Sequence, residues 1–400
     1  MEIQDQFDVC IIGGGIAGNY LAYLLSGTDL QVLVVEEHEE VGRPFQCAGI
    51  VSMKLAKLID LPPEIVLNRV NIAHLEFPSN KTIELTGNER PYVIDRVELD
   101  KLFYKKASSS DNIHFLLGEK FKSFEDLNNK TPPFIRINTS KRTIETTLLV
   151  GCDGPLSQVG KQLGIINNII YATQIRIKAS FDTNKAYMYF DKRWNHLFGW
   201  IVPEGTDIFR IGIGSSDNLR EKFNIFLNKI GVSFEDRIDQ QGGIIPLDSM
   251  NKLAFDHTLL LGDSASMVKA TTGGGIIMLL IAAKYAANCI LKCFKTKNFS
   301  KAFITKHYEA PCSVHIGNQL KLHYIIRYLL RNFTNRDLEA LFDLLEIKQI
   351  KNIISIYGDM DFPLRVALKL LGNWRFIKFI IKFALKKPWI MIKSIYYLLN

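Results

Sequence analysis

The sequence predicts an α/β fold in which a domain built on a parallel sheet is interrupted by an antiparallel sheet and followed by a C-terminal helical region. Three observations carry that expectation. The N-terminal stretch FDVCIIGGGIAGNYLAYLL reads as a buried strand, a glycine turn and a helix, with an apolar strand after it. Two further strand-and-turn segments, TTLLVGCDG and TLLLGDSAS, lie far along the chain, so other segments are inserted between them. Those insertions alternate apolar and polar residues, the pattern of antiparallel strands with one covered face.

Taken in order, residues 9–12 form the first strand, 17–25 the first helix, and 30–35 a second strand ending in Glu36 and Glu37. AHLEFPSNKTIEL, ATQIRIKASF, KAYMYF and DIFRIGIGSS supply antiparallel strands of a second sheet. YVIDRVELDKLFYKKA holds a helix with Arg96 and Asp100 at the i, i+4 spacing of an ion pair. TLLLGDSAS runs through TTGGG into a helix over 276–293, and from about Tyr308 the chain reads as helical. The expected division is a first domain of residues 1–70, 91–160 and 245–311, an inserted sheet over 71–90 and 161–244, and a helical region over 312–400 with a basic tail.

Four hundred residues, 47% of them hydrophobic, suffice for a large core and more than one domain. Six cysteines with no Cys-x-x-Cys pair need no disulfide framework and point to a reducing, cytoplasmic setting. The chain enters a buried strand almost at once, without the charged and apolar regions of an export signal. The uncharged run over residues 270–283, which begins with a glycine cluster, has 14 residues, too few to span a bilayer. The net charge of +8 sits in the tail: residues 362–400 hold eight basic residues and no acidic one, and the rest balances at 41 against 41. With a neutral body and no recognised reader module, nucleic-acid binding is not expected.

Gly13-x-Gly15-x-x-Gly18 stands between strand and helix, where a dinucleotide fingerprint has to stand. Its glycines permit a tight turn and close backbone approach, and the helix N-terminus faces a diphosphate with free N–H groups. Glu36, 18 residues after Gly18, ends the second strand, where a carboxylate accepts a hydrogen bond from a ribose hydroxyl. FAD and NAD(P) both occupy such a unit, so the choice between them comes from elsewhere. GCDGPLSQVGKQLG and LLLGDSASMVKATTGGGI supply it. With these segments in this order the chain resembles the flavoprotein superfamily typified by p-hydroxybenzoate hydroxylase, which implies a Rossmann-type FAD-binding domain with an inserted antiparallel substrate domain. The cofactor-binding set so implied starts at Gly13, Gly15, Ala17, Gly18 and Glu36. It continues through Arg43, Cys47, Ala48 and Gly49 to Arg96 and Asp153. It ends at Asp263, placed on the ribityl chain, and at Gly273, Gly274 and Gly275 with Ile276, whose helix N-terminus would stabilise the anionic reduced flavin.

Two more motifs narrow the resemblance. QCAGIVS holds Cys47, Gly49 and Ser52 in a Cys-x-Gly-x-x-Ser frame, and FGWIVPEGTDIFRIGIG holds Phe198, Trp200 and Pro203 followed by Gly212 and Gly214. Both resemble elements of the archaeal and plant-type geranylgeranyl reductases, a family that includes digeranylgeranylglycerophospholipid reductases. That family more usually has Tyr where Phe198 stands, Phe at Val202, Pro at Ala270 and a Ser-Gly pair at Ala282 and Ala283. The implied activity is FAD-dependent saturation of isolated double bonds in geranylgeranyl groups of membrane lipids or their precursors. Phe198 and Trp200, on alternate strand positions, face one side and line a prenyl groove, or form ordinary sheet core. Pro203, Gly212 and Gly214 complete the substrate set. Cys47 is the candidate catalytic residue, as proton donor or redox-sensitive gate, against the plain alternative of a small buried hydrophobe. Cys312 returns toward the same cavity in this reading, where it would pair reversibly with Cys47.

In the tail, Arg375, Lys378, Lys382 and Lys386 recur at helical spacing beside Trp374, Phe376, Phe379, Ile380 and Phe383, and Pro388 interrupts the helix. Residues 364–399 thus read either as a peripheral membrane contact or as a packed helical cap with solvated lysines. The expected partners are a prenyl lipid or prenyl diphosphate and an external electron donor: ferredoxin, NADPH or a deazaflavin. No metal is called for. The alternative functions are a flavin monooxygenase acting on an aromatic or lipid substrate and a non-enzymatic, membrane-associated flavin redox sensor.

Overall fold

The computed structural model describes residues 6–127, 131–194 and 196–399. Strand Gln6–Ile12 lies in the middle of a parallel sheet, paired with Thr143–Gly151 on one side and Val32–Val35 on the other. Thr258–Leu260 and Ile113–Leu116 extend it outward, also in parallel. All four residues of Val32–Val35 are buried, as strands covered on both faces require. The register aligns Ile12 with Gly151 and with Val35, so the turns that follow these strands gather along one edge of the sheet. An open parallel sheet binds its ligands at that edge.

Helix Ile16–Leu25 packs against helices Arg96–Ser108 and Ile276–Thr296. The latter is apolar and long enough to cross a membrane by length and composition, with an 18-residue stretch of mean hydropathy 1.7, yet 67% of that stretch is buried inside the protein, where it forms core. It runs past the expected end at residue 293 to Thr296, where Lys297 adopts a left-handed conformation and stops it.

A seven-stranded sheet stands apart from the first, antiparallel except where Lys185–Tyr189 meets Ile72–Glu76. Its two faces have different partners. Ile201, Phe209 and Ile211 pack with Phe223 and Phe226 of helix Leu219–Lys229. Trp200 and Val202, pointing the opposite way by strand alternation, pack with Ala48, Val93 and Ala270 from the first domain. The C-terminal region is a run of helices from Asn318–Arg331 to Pro388–Leu399, broken ahead of Pro388 as the sequence predicts. The fold class read from the sequence is the one observed.

Candidate active site

Crowding from two sides shapes the first glycine turn. A Cβ on Gly13, whose φ is +106°, would lie 2.3 Å from the Cys152 carbonyl oxygen, and one on Gly18 would lie 2.0 Å from the Gly13 carbonyl oxygen. Gly15 differs from both. Its φ of −77° suits any residue, and no protein atom lies within 4 Å of a Cβ built there. It opens helix Ile16–Leu25, which has no side-chain cap and no acidic residue in its first turn, so its free N–H groups are available to an anion. Helix Ile276–Thr296 starts from Gly275 in the same uncapped, acid-free way. Two open helix starts, and a turn that leaves room where a side chain would stand, fit the phosphates and ring of a bound dinucleotide.

Four charged or polar groups converge beside these turns. Gly262 turns the chain at φ +81° with its Cβ position 3.0 Å from Ala17 Cβ, so the small residue at 17 lets the strand end carry Asp263 against the first helix. Burial pushes the Asp263 carboxyl up, and Arg96 opposes it. Arg96 donates to both Asp100 oxygens, at 3.0 and 3.2 Å. Burial works against its charge, but Asp100, Cys47 and Asp263 outweigh that and hold its pKa above the ordinary arginine value. With Asp100 buried and Arg96 21% exposed, the i, i+4 pair is partly enclosed by the site rather than laid open on a helix surface. Glu36 accepts from the Gly14 N–H at 2.6 Å and the His38 N–H at 2.9 Å, which sets its carboxylate beside the turn.

Two of the expected cofactor residues have protein partners of their own. Asp153 accepts from the Ser157 hydroxyl at 2.5 Å and from the Gln158 and Val159 N–H groups at 2.7 and 3.0 Å. Its carboxylate caps the first N–H groups of helix Gln158–Gln162, and its Cα lies 3.1 Å from the Cβ position of Gly13, beside the first turn. Arg43 is exposed, with Glu40 and Lys101 as its charged neighbours.

Side chains from the second sheet hold the Cys47 loop in place. Gln174 donates to the Cys47 carbonyl at 2.9 Å, and Trp200 Nε1 donates to Gln174 Oε1 at 3.1 Å. Arg210, 2% exposed, donates to the Ala48 and Ile94 carbonyls at 3.0 and 3.2 Å, pairs with Glu204 at 3.2 Å, and lies over the Phe45 ring. Gly49, at φ +77°, leaves room for it: a Cβ there would lie 1.9 Å from Arg210 Nη1. Phe198 and Trp200 do share a side, with ring centroids 6.5 Å apart. Gly212 and Gly214 serve that wall sterically, since Cβ atoms there would lie 2.4 Å from the Trp200 indole and 3.2 Å from Leu197. Pro203, at the far end of the strand, meets Asn68 rather than the aromatic pair.

The C-terminal region reaches back to the glycine loop. Buried Lys269, one residue before Ala270, donates to Asp361 at 2.7 Å and to the Met360 carbonyl at 3.1 Å. His323 bridges the Thr271 hydroxyl, at 2.6 Å, and the Asp361 carbonyl, at 3.1 Å. Glu89, Asp359 and Asp361 bring carboxylate oxygens within 4.8 Å of one another. Lys54 lies 2.9, 2.8 and 3.5 Å from them, so with Lys269 two lysines offset two of the three carboxylate charges. Cys312 does not return toward the Cys47 cavity. It is fully buried in the core of the first domain near Cys289 and Tyr308, because Tyr308 anchors this segment by donating to the Leu260 carbonyl at 2.7 Å, and all six cysteines are free.

Together the sheet edge, the open helix starts and the Arg96–Asp263 cluster define an FAD-dependent oxidoreductase. Residues 6–227 match the FAD binding domain family, and the chain belongs to that family. It is 29% identical to an uncharacterized protein of Methanocaldococcus jannaschii over 92% of this chain and 96% of that one. It is 24% identical to digeranylgeranylglycerophospholipid reductase 1 of Methanococcoides burtonii, over 85% of this chain and 87% of that one. Among solved structures it resembles a geranylgeranyl bacteriochlorophyll reductase-like protein of Thermoplasma acidophilum, with a TM-score of 0.78 at 21% identity, covering 92% of this chain and 99% of the other.

Proposed function

We propose that the protein reduces isolated carbon–carbon double bonds of geranylgeranyl groups in membrane lipids or their precursors. The observation that carries this reading is the junction at Cys47. One loop is fixed by Gln174 and Arg210 so that its thiol neighbours Arg96 of the cofactor cluster, while its Ala48 packs with Phe198 and Trp200. Bound FAD, once reduced, supplies a hydride to one alkene carbon. The chain does the rest. The apolar wall of Ala48, Ile50, Val93, Phe198, Trp200 and Ile245 offers a prenyl chain only dispersion contacts and excludes water. An isolated alkene has no carbonyl to take up charge, so the second carbon needs a proton from a positioned donor. Cys47 Sγ is our candidate for that donor; the Gly49 N–H donates to it at 3.3 Å. An external donor, ferredoxin, NADPH or a deazaflavin, must reduce the cofactor between turnovers.

The deciding experiment is anaerobic incubation of the dithionite-reduced holoenzyme with geranylgeranyl lipids and geranylgeranyl diphosphate, read by mass spectrometry. Two-hydrogen mass increments support the reading. Substrate returned unchanged overturns it, as does oxygenated product formed only in air, which would assign a monooxygenase instead.

Peripheral membrane contact of the tail belongs to the same reading. Trp374 is 70% exposed, and Leu385 and Trp389 are 80% exposed, on helices that also expose Arg375, Lys378, Lys382 and Lys393. Apolar side chains flanked by cations suit an anionic lipid interface. Lys386 leaves the expected basic stripe, because it pairs with Asp337 at 2.7 Å, as Lys387 does at 2.9 Å. Co-sedimentation with phosphatidylglycerol vesicles but not phosphatidylcholine vesicles, lost in Trp374→Ala/Trp389→Ala, is expected; equal pelleting with and without vesicles removes the proposal.

A further inference from the structure

A narrow cleft opens where the second sheet, the glycine loop and helix Asn318–Arg331 meet. Phe190, Phe198, Leu330 and Leu338 give it apolar walls, Thr271 enters from the glycine loop, and Arg327 lines it from the helix. Arg327 is 7% exposed, and among the described residues it has no hydrogen bond and no carboxylate partner; Tyr324 favours its charge and Arg331 opposes it. The acidic side chain lining the same cleft, Asp191, is already held by Arg193 through both oxygens, at 2.9 and 2.7 Å. A buried guanidinium left without a counter-ion is costly, and proteins keep one where a ligand supplies the missing charge.

We propose that Arg327 receives the phosphate of the prenyl substrate, anchoring its charged end while the isoprenoid chain runs past Phe198 toward Cys47. The inference rests on the prenyl-reductase reading and names what that reading lacks, the recognition of a headgroup. Arg327 suits the task because its planar fork of donors matches phosphate oxygens. Its surroundings are cationic as well. Burial first, then Arg331 and Lys222, with a smaller part from Arg327, push the nearby His196 down to about 4, while Asp217 opposes them. Burial and Arg331 bring Arg327 down only to about 9, so it remains a cation at neutral pH. The phosphate has two sources, a soluble prenyl diphosphate or a prenyl glycerol phosphate lipid, and both present a terminal phosphate group with non-bridging anionic oxygens.

Equilibrium binding to the oxidised holoenzyme tests the site without requiring turnover. The ligands are geranylgeranyl diphosphate, digeranylgeranylglyceryl phosphate and the uncharged alcohol geranylgeraniol. Wild-type protein should bind at least one of the two phosphorylated ligands about tenfold or more tightly than the alcohol, the size expected of a charge-assisted contact. Arg327→Gln should lose that preference while keeping its flavin spectrum, and Arg327→Lys should restore part of it. Preference for the diphosphate alone assigns the soluble substrate, and preference for the glyceryl phosphate assigns the lipid. An Arg327→Gln protein that keeps the preference overturns the proposal, as does a wild type that shows none. If Arg327→Gln does not fold, competition decides: inorganic pyrophosphate must displace the preferred ligand from wild-type protein, and failure to do so overturns the site. Selective phosphate binding with no alkene reduction sinks the reductase reading and leaves the site standing; alkene reduction without phosphate selectivity does the reverse.

Discussion

The Trp200 indole donates its Nε1 hydrogen to Gln174 Oε1 at 3.1 Å, and the amide nitrogen of the same glutamine donates to the Cys47 carbonyl at 2.9 Å. One side chain thus fixes both an aromatic wall and the thiol loop. Replacing it by an apolar residue of similar size strands two buried polar groups, at roughly 1–3 kcal/mol each. Gln174→Leu should therefore unfold at a lower temperature and reduce alkenes more slowly while retaining FAD. If thermal midpoint and turnover both match wild type, this bridge does not hold the loop.

Gly15 supports a sharper prediction because nothing in the protein demands glycine there. Its φ is ordinary and its Cβ position meets no protein atom within 4 Å. The remaining reason is close approach of the cofactor diphosphate to the backbone. Gly15→Ala should match the wild-type apoprotein in urea unfolding yet bind FAD about tenfold more weakly or worse, an estimate from the loss of a close charged contact. Gly18→Ala provides the contrast, since a Cβ 2.0 Å from the Gly13 carbonyl oxygen damages the fold itself. Equal FAD affinity in Gly15→Ala and wild type would remove the diphosphate from this turn.

What the sequence disclosed and what it hid differ by the separation of the partners. The strand, turn and helix around Gly13 to Gly18 are local, and so is the Arg96–Asp100 pair, four residues apart on one helix. Their spacing alone made them legible. Gln174 and Arg210 act on carbonyls 127 and 162 residues away, and Lys269 on a carboxylate 92 residues away. In the sequence Arg210 is a single charge between Phe209 and Ile211, and that charge on an otherwise apolar strand was the one available hint. Asp153 shows the converse. Its motif carries its position beside the Gly13 turn, but the two backbone N–H groups that its carboxylate caps are displayed by no motif.

Cys47 separates chemistry from packing through a pair of substitutions. As proton donor it should be irreplaceable by alanine, with Cys47→Ala keeping FAD and losing about a hundredfold or more in alkene reduction, the scale of a positioned general acid. Cys47→Ser retains a hydroxyl of similar size and should keep a measurable fraction of that rate. Anaerobic single-turnover reoxidation of the reduced flavin by geranylgeranyl substrate measures both. Full rates in both variants would leave Cys47 as a small residue filling its loop.

His323 gives the protein an acid-side weakness whose sign follows from its partners. The Asp361 carbonyl can only accept, so Nε2 carries the hydrogen, and Nδ1 is left to accept from the Thr271 hydroxyl. The ring is therefore neutral in the fold. Burial pushes its pKa down to about 4; Lys269 adds to the shift and Asp361 opposes it. An unfolded histidine titrates near 6.5, so between about pH 6.5 and 4 the unfolded chain takes up a proton that the folded ring refuses. Stability is full above that window and falls as the pH drops through it, by roughly 3 kcal/mol for this group at about 1.4 kcal/mol per pH unit. His196, also held down to about 4, contributes in the same direction. Asp361 is lowered too, with burial outweighed by Lys269 and Ser52, so its contribution persists through this window and is lost only as the pH falls through its depressed pKa. Urea midpoints measured from pH 7.5 to 4.5 should decline in the wild type. His323→Gln, which keeps a donor and an acceptor without titrating, should be less stable at pH 7.5 and show a visibly flatter decline. An unchanged slope in that variant would mean that His323 takes no part in the acid response.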